Sequence, residues 1–243
     1  MINDLFTKSW HMPQDFVPLN PDLHCYVVGD IHGCDRQLSQ LLQRFDPAVP
    51  IVFLGDYVDR GEHSRSVIHR LMQLETATCL MGNHEAMLLE FLEQPAGIGR
   101  QWLQYGGLQT LADFGVEAVS AQSSLQELER AARQFAAALG SEMRSWLSQR
   151  PLGCLNGNIF LSHAGADPDL SVDDQPKETL LWGAKTGRTT PHQEGLWLVH
   201  GHWIVPEPEI ANGHIALDTG AYATGRLTAA EISSDGVRCL SET

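Results

Sequence analysis

The chain has 243 residues and a formal net charge of −14, from 16 Lys plus Arg against 30 Asp plus Glu. With 43% hydrophobic and 19% charged residues, a chain of this length can bury a full core, so disorder is not expected. The acidic balance disfavours a nucleic-acid partner, because proteins bind such partners mainly by neutralising phosphates with Lys and Arg. The longest uncharged stretch, 151–166, contains Pro, Gly and Asn, so no membrane span is predicted.

The cysteine pattern and the first residues bear on the compartment. The five cysteines are widely spaced and resemble neither a disulfide framework nor a CxxC metal site. The stretch MINDLFTKSW lacks the apolar run of a signal peptide. Both patterns predict a cytoplasmic protein.

In the first third, three short apolar runs each end in Gly followed by a polar residue, which is Asp30, Asp56 or Asn83. Apolar residues at helical spacing predict amphipathic helices between the runs, over 35–45 and 64–74. A β-α-β-α-β order predicts parallel strands joined by right-handed crossovers. The three polar residues should therefore converge at one edge of a sheet.

The rest of the chain divides into a helical part and a second strand-rich part. The pattern is helical from Ala86 to about Arg150, which predicts an inserted helical cap at about 86–150. Strands are predicted over 158–162, 196–200, 214–218 and 226–232, and the composition of 168–193 predicts a long loop. We expect a single domain over 1–243.

The residues at the predicted strand ends are typical metal ligands. Two Asp, one Asn and three His would be costly to bury unless a cation lay among them. Carboxylate, amide and imidazole groups together suit Mn, Fe or Zn. Six ligands are too many for one ion with an open position, so the set favours two ions bridged by a carboxylate. The candidates are Asp30, His32, Asp56, Asn83, His163 and His202.

The strings GDIHG, GDYVDRG, GNHE, SHAG and HGH together resemble the signature of the calcineurin-like metallophosphoesterases, and specifically of PPP-type bacterial and phage serine/threonine protein phosphatases. The resemblance runs from Tyr26 to about Ile232. It implies an α/β fold with a central β-sandwich flanked by helices and a helical cap insertion. It also implies two divalent metal ions, with Mn²⁺ as the first expectation and Fe or Zn as alternatives.

The resemblance implies a role for each residue of these strings. Asp30 and His32 would hold the first metal and Asp56 would bridge, while the second metal would be completed by Asn83, His163 and His202. His84 would be free of metal and act as the general acid, paired with Asp59. Arg60 would clamp the phosphate oxygens.

Other candidate substrate-binding residues are less well defined by the pattern. Many family members carry a basic residue just before GNHE and another after a Trp, whereas this chain has Met81 and, after Trp182, the run GAKTGR. Lys185 or Arg188 could replace the second phosphate clamp. Tyr222 stands where related enzymes often place a site-lining tyrosine. Asp218 either orients a metal-ligating histidine or belongs to a plain strand-end turn.

The first functional expectation is a phosphomonoesterase acting on phosphoserine and phosphothreonine in proteins, with phosphotyrosine as a further option, through direct attack by a metal-bridging hydroxide. The alternative is a hydrolase of dinucleoside polyphosphates or other nucleotides, because the Thr-Gly loop and Met81 are similar to that branch. Glu85 favours the first reading, since symmetrical diadenosine tetraphosphate hydrolases typically have Asp there.

A catalytically dead phosphate-binding module is a third hypothesis, but it would require a lost ligand, and none is lost. The expected partner is a phosphorylated protein or small phosphorylated substrate, without nucleic acid or membrane. The oligomeric state is not indicated.

Overall fold

The computed structural model describes residues 7–10, 16–184 and 189–243. Its first third alternates strands and helices, as predicted from the apolar runs. The elements are β1 (Thr7–Trp10), β2 (Cys25–Val28), α1 (Asp35–Leu42), β3 (Ile51–Phe53), α2 (Ser64–Met72) and β4 (Thr78–Cys79). β2 pairs with β3 and β3 with β4, in both cases parallel. The predicted parallel order of these three strands is therefore observed.

Helices occupy the predicted cap region. They are α3 (Asn83–Glu93), α4 (Pro95–Trp102), a π-helical turn (Leu103–Gly107), α5 (Leu108–Asp113) and α6 (Leu125–Ser148). A capping box starts α6, because Ser124 Oγ accepts the Glu127 N–H and the Glu127 carboxylate accepts the Ser124 N–H. The first cap helix begins at Asn83 itself, so the GNHE string lies on its first turn.

The last third contains more strands than the sequence predicted. Its elements are β5 (Gly153–Asn156), β6 (Ile159–Ser162), α7 (Lys177–Trp182), β7 (Trp197–His200), β8 (Glu209–Ala211), β9 (His214–Ala216), α8 (Ala221–Thr224), β10 (Leu227–Ser233) and β11 (Gly236–Glu242). The Asn212-Gly213 dipeptide joins the hairpin β8–β9, and such dipeptides are a recognised hairpin signal. Ser234 and Asp235 join the hairpin β10–β11. The predicted loop over 168–193 is interrupted by α7.

The strands form two sheets, with orders β1-β11-β10-β2-β3-β4 and β5-β6-β7-β9-β8. Side chains of β2 alternate between two cores. Val27 packs between the sheets against residues such as Leu161 and Val199, whereas Val28 faces the helices. Both faces of β2 are buried, and this explains its unbroken apolar sequence. A smaller core places Leu180 of α7 on the outer face of the second sheet.

Among the described residues, no helix combines the length and the apolar character that crossing a membrane requires.

Candidate metal centre and active site

Three candidate ligands lie where the parallel strands of the first sheet end. Asp30 follows β2, Asp56 follows β3 and Asn83 follows β4, each within four residues of the strand. Parallel strands direct their carboxyl ends to one edge, so the three side chains converge there. All three are buried.

The second sheet brings two histidines to the same place. His163 directly follows β6 and His202 follows β7, and these two strands are parallel. The Nε2 atom of His163 lies 3.4 Å from Oδ1 of Asp56 and 2.8 Å from Oδ1 of Asn83. Nδ1 of His202 lies 3.1 Å from the same Asn83 oxygen. The candidate centre therefore sits at the junction of the two sheets.

The remaining two candidates complete this cluster. His32 Nε2 lies 3.4 Å from Oδ2 of Asp56. Both carboxylate oxygens of Asp30 accept the backbone N–H of His202 at 3.1 Å. A Cβ atom at position 201 would collide with the Asp30 carboxylate, so this approach requires Gly201.

The potential ligand atoms form two groups that share Asp56. One group contains His32, Asp56 and His84, the other contains Asp56, His163 and His202, and within each group the atoms lie within 4.8 Å of one another. A carboxylate common to two groups is the arrangement that a bridged pair of ions needs. His84 belongs to the first group by distance, but its Nδ1 atom is already bonded to Asp59.

The chemistry of these donors fits a pair of divalent ions. His32 Nε2 is buried and has no hydrogen-bond partner among the described residues, although it points at Asp56. Burial lowers the pKa of both His32 and His202 to about 3, which keeps their rings in the neutral form that binds metals. Burial and the neighbouring Asp218 and Asp56 carboxyl groups raise the pKa of Asp30. A cation among these carboxylates would offset the free-energy cost of burying their negative charges.

The backbone is strained at this site. Five of the seven described non-glycine residues with positive φ are candidate site residues: His32, Asp56, Asp59, Arg60 and His202, with φ between 45° and 71°. Each such conformation costs on the order of 1–3 kcal/mol and persists only where the surrounding structure enforces it. The strain is therefore concentrated where the side chains must meet.

His84 and Asp59 are paired as the resemblance implied. The Nδ1–H of His84 donates to Oδ2 of Asp59 at 2.7 Å, and both side chains are buried. Burial lowers the pKa of His84, but the Asp56 charge and the bond to Asp59 outweigh it, so the pKa is raised above its ordinary value. A raised pKa favours the protonated ring, which is the form that a general acid needs.

Arg60 lies beside this pair. Its Nη2 atom is 3.2 Å from Nε2 of His84, and its guanidinium carbon is 4.7 Å from the centre of the Tyr222 ring. The Tyr222 ring in turn meets the His32 ring edge-on at 5.3 Å. The structure thus brings Arg60 and Tyr222 together at the rim of the candidate centre.

The remaining three predicted site residues are Asp218, Lys185 and Arg188. Asp218 lies beside the carboxyl group of Asp30 and accepts the Gly220 N–H, and burial raises its pKa to about 6. Two of the candidate histidines are held by backbone carbonyls, because Nδ1 of His32 bonds to Val58 O and Nδ1 of His163 bonds to Leu54 O. Such carbonyl partners leave no mark in a sequence. Lys185 and Arg188 lie outside the described residues.

Glu85 is a structural residue of the site that the sequence analysis did not assign. Its carboxylate accepts the backbone N–H groups of Asp56 and Tyr57 at 2.8 Å and of Gly82 at 3.0 Å. Glu85 therefore ties the two loops that carry Asp56 and Asn83. The signal was available, since Glu at the third position of a helix is half of a capping box.

Two cap residues complete the surroundings of Asp59. Trp102 Nε1–H donates to Oδ2 at 2.7 Å, and Thr110 Oγ1–H donates to Oδ1 at 2.6 Å. Together with His84, three side chains thus bond one buried carboxylate. The sequence does not indicate the contact between Trp102 and Asp59, because 43 residues separate them along the chain.

This geometry, a carboxylate shared by two groups of ligands beside a histidine–aspartate pair, defines a site of the metallophosphoesterase class. A family model described as calcineurin-like phosphoesterase matches residues 23–232. The chain belongs to this family, so the expected fold is confirmed and the protein is a phosphoesterase whose family uses a dinuclear metal centre.

Similar proteins carry more than one kind of name. A bis(5'-nucleosyl)-tetraphosphatase PrpE [asymmetrical] of Geobacillus sp. (strain WCH70) is 27% identical over 231 residues, covering 84% of this chain and 88% of the relative. A solved structure assigned as a diadenosine tetraphosphatase has a TM-score of 0.64 at 23% identity and covers 94% of this chain and 97% of its own. The solved structure of a serine/threonine phosphatase from Saccharomyces cerevisiae has a TM-score of 0.54 at 17% identity and covers 91% of this chain and 80% of its own. The two structural likenesses show the shared fold.

Proposed function

We propose that this phosphoesterase hydrolyses dinucleoside polyphosphates of the diadenosine tetraphosphate type. Hydrolysis of phosphoproteins is the second candidate function. The likeness to a relative named as a bis(5'-nucleosyl)-tetraphosphatase, which extends over 84% of this chain, is the observation that supports this proposal. It favours the nucleotide alternative over the protein-phosphatase reading that the motif strings first suggested. Met81, in the position just before GNHE, agrees with the same branch.

The candidate ligands divide between two ions. Asp30 and His32 would hold one ion, Asn83, His163 and His202 the other, and Asp56 both. Such a pair supplies Lewis-acid stabilisation of the phosphate and a nucleophile at neutral pH. Mn²⁺ is the first candidate, with Fe or Zn as alternatives.

The side chains around the ions act on the substrate itself. Arg60 binds the non-bridging phosphate oxygens, for which a planar guanidinium is suited. His84 gives its Nε2 proton to the leaving oxygen, while Asp59 holds the opposite nitrogen and keeps the ring aligned. Tyr222 packs on Arg60 and limits its movement. All the residues given a role here lie within the single domain expected over 1–243, so the proposed reaction requires no second domain.

The test compares two substrates on one preparation. Metal-stripped protein is assayed with diadenosine tetraphosphate and with a phosphoserine peptide, before and after Mn²⁺ is added. We expect Mn²⁺ to restore turnover of the dinucleotide well above that of the peptide. Turnover of the peptide alone would assign a protein phosphatase instead, and turnover of neither substrate would contradict both. His84→Asn is the control that ties any activity to this site.

A further inference from the structure

A surface cleft of about 430 Å³ opens next to the candidate centre, on the outer side of Arg60. Its lining consists of Arg60, Gln104, Tyr105, Gly106, Gln109 and Tyr222. Tyr105 and Tyr222 are 46% and 38% exposed, so both rings are accessible to a ligand. The cleft therefore offers two accessible aromatic rings beside a phosphate-binding arginine.

The composition of the cleft suits a flat heteroaromatic group. Aromatic faces stack on nucleobases without regard to sequence, and the side-chain amides of Gln104 and Gln109 can donate to and accept from a base edge. Among the residues that the structure describes, Arg60 is the one charged residue in the lining, in a chain with a formal net charge of −14. An anionic ligand with an aromatic end fits this lining better than a cationic peptide does.

The backbone holds Tyr105 in this exposed position. Tyr105 lies in the π-helical turn Leu103–Gly107, whose Gly106 has φ 118°. The Arg60 N–H donates to Gly106 O at 3.2 Å, and a Cβ on Gly106 would lie 2.6 Å from Arg60 N. Here the turn fixes Tyr105 relative to the arginine.

Arg60 lies between the cleft and the candidate ligand cluster. On one side it approaches His84 at 3.2 Å, and on the other its guanidinium packs on Tyr222. A polyphosphate chain that starts at the ligand cluster and passes Arg60 enters the cleft. We infer that this cleft binds the nucleoside end of the substrate, with its base stacked on Tyr105 and Tyr222; the inference rests on the proposed function.

The test measures equilibrium binding rather than turnover. Calorimetry on the Mn²⁺-loaded protein compares α,β-methylene-ADP with methylenebisphosphonate, which has the same phosphonate chemistry without the nucleoside. We expect the wild type to prefer the nucleotide about tenfold, the usual contribution of one base–aromatic stack. Tyr105→Ala should abolish most of this preference, whereas Tyr105→Phe, which keeps the ring, should retain it.

Trp182→Ala is the matched control, because Trp182 is 40% exposed and lies near His202, outside the lining of the cleft. A preference that is absent in the wild type, survives Tyr105→Ala or is lost in Trp182→Ala would overturn the inference. So would a Tyr105→Ala variant that loses affinity for a phosphopeptide instead. Thermal melting checks that each variant folds.

The two proposals can fail separately. A wild type that binds the nucleotide in the cleft but does not cleave diadenosine tetraphosphate would contradict the proposed function alone. A wild type that cleaves the dinucleotide without a nucleoside preference in binding would overturn the cleft alone.

Discussion

At the scale of single residues, the buried carboxylate of Asp59 has the most demanding environment of the site. It is fully buried, yet it stays hydrogen-bonded on both oxygens, to His84, Trp102 and Thr110. A buried carboxylate is tolerated only with such partners. One of them is the proposed general acid, so the catalytic role of His84 depends on how Asp59 is held.

Replacing His84 should lower turnover most for substrates with poor leaving groups. His84→Asn removes the proton donor, and general-acid catalysis typically contributes about 10²–10⁴-fold. We expect a loss of that order in kcat for a serine phosphate, whose alkoxide must take up a proton as it leaves. p-Nitrophenyl phosphate and diadenosine tetraphosphate, whose leaving groups are weak bases, should lose much less. Equal losses on the serine phosphate and p-nitrophenyl phosphate would assign His84 to metal binding instead.

The pH dependence of kcat follows from the raised pKa of His84. The acid must be protonated, so activity should hold below this pKa and fall as the pH rises through it. Asp59→Asn removes the carboxylate that raises the pKa, and the alkaline limb should therefore move to lower pH. An unchanged alkaline limb in Asp59→Asn, measured as kcat against pH, would exclude His84 as the titrating group.

Trp102 and Thr110 should contribute to stability through the same carboxylate. Thr110→Val or Trp102→Phe removes a hydrogen bond to a buried charge, which costs about 1.5–3 kcal/mol. Urea denaturation measures the change in free energy of unfolding. Trp146→Phe is the matched cap substitution, since Trp146 packs against Tyr57 and Arg150, and it should cost less.

At the scale of elements, the cap and the sheet are joined at the π-helical turn Leu103–Gly107. Gly106→Ala would place a Cβ 2.6 Å from Arg60 N at a φ of 118°. We expect a lower melting temperature and at least a tenfold drop in kcat/KM, because Arg60 must shift. Gly115→Ala provides the comparison: φ is 74° and no atom of the described part of the chain lies within 4 Å of the added Cβ, so only stability should fall. A Gly106→Ala variant with normal kcat/KM would show that Arg60 tolerates the displacement.

The elements also show how much of the fold and of the candidate site the sequence predicts. The strand–helix alternation and the positions of Asp30, Asp56 and Asn83 were predictable because parallel strands must end at one edge. β5, β8 and β11 were not predicted, because these strands are partly exposed and lack a continuous apolar run. The bonds from Trp102 and Thr110 to Asp59 were not predictable, because only the packing of the cap brings them together.

At the scale of the whole molecule, the metal pair should act as a stabiliser. A ligand that binds only the folded state at 100 times its Kd adds about 2.7 kcal/mol. For a chain of this size that corresponds to an increase in melting temperature on the order of 5–10 °C. Scanning calorimetry with and without Mn²⁺ should show this shift in wild type and in His69→Ala, an exposed histidine of α2. His163→Ala should reduce it, and an undiminished shift would contradict the ligand assignment.

The division of the ligands between the two sheets has a consequence for the folding pathway. Asp30 and His202 meet across a separation of 172 residues, and neither sheet alone carries the full set of donors. An intermediate in which only the first sheet has formed would present Asp30, His32, Asp56 and Asn83 without the second-sheet histidines, and would hold ions weakly. Tight metal capture should therefore coincide with the docking of the sheets, so that stopped-flow refolding with a metal-sensitive dye would time the last step of assembly.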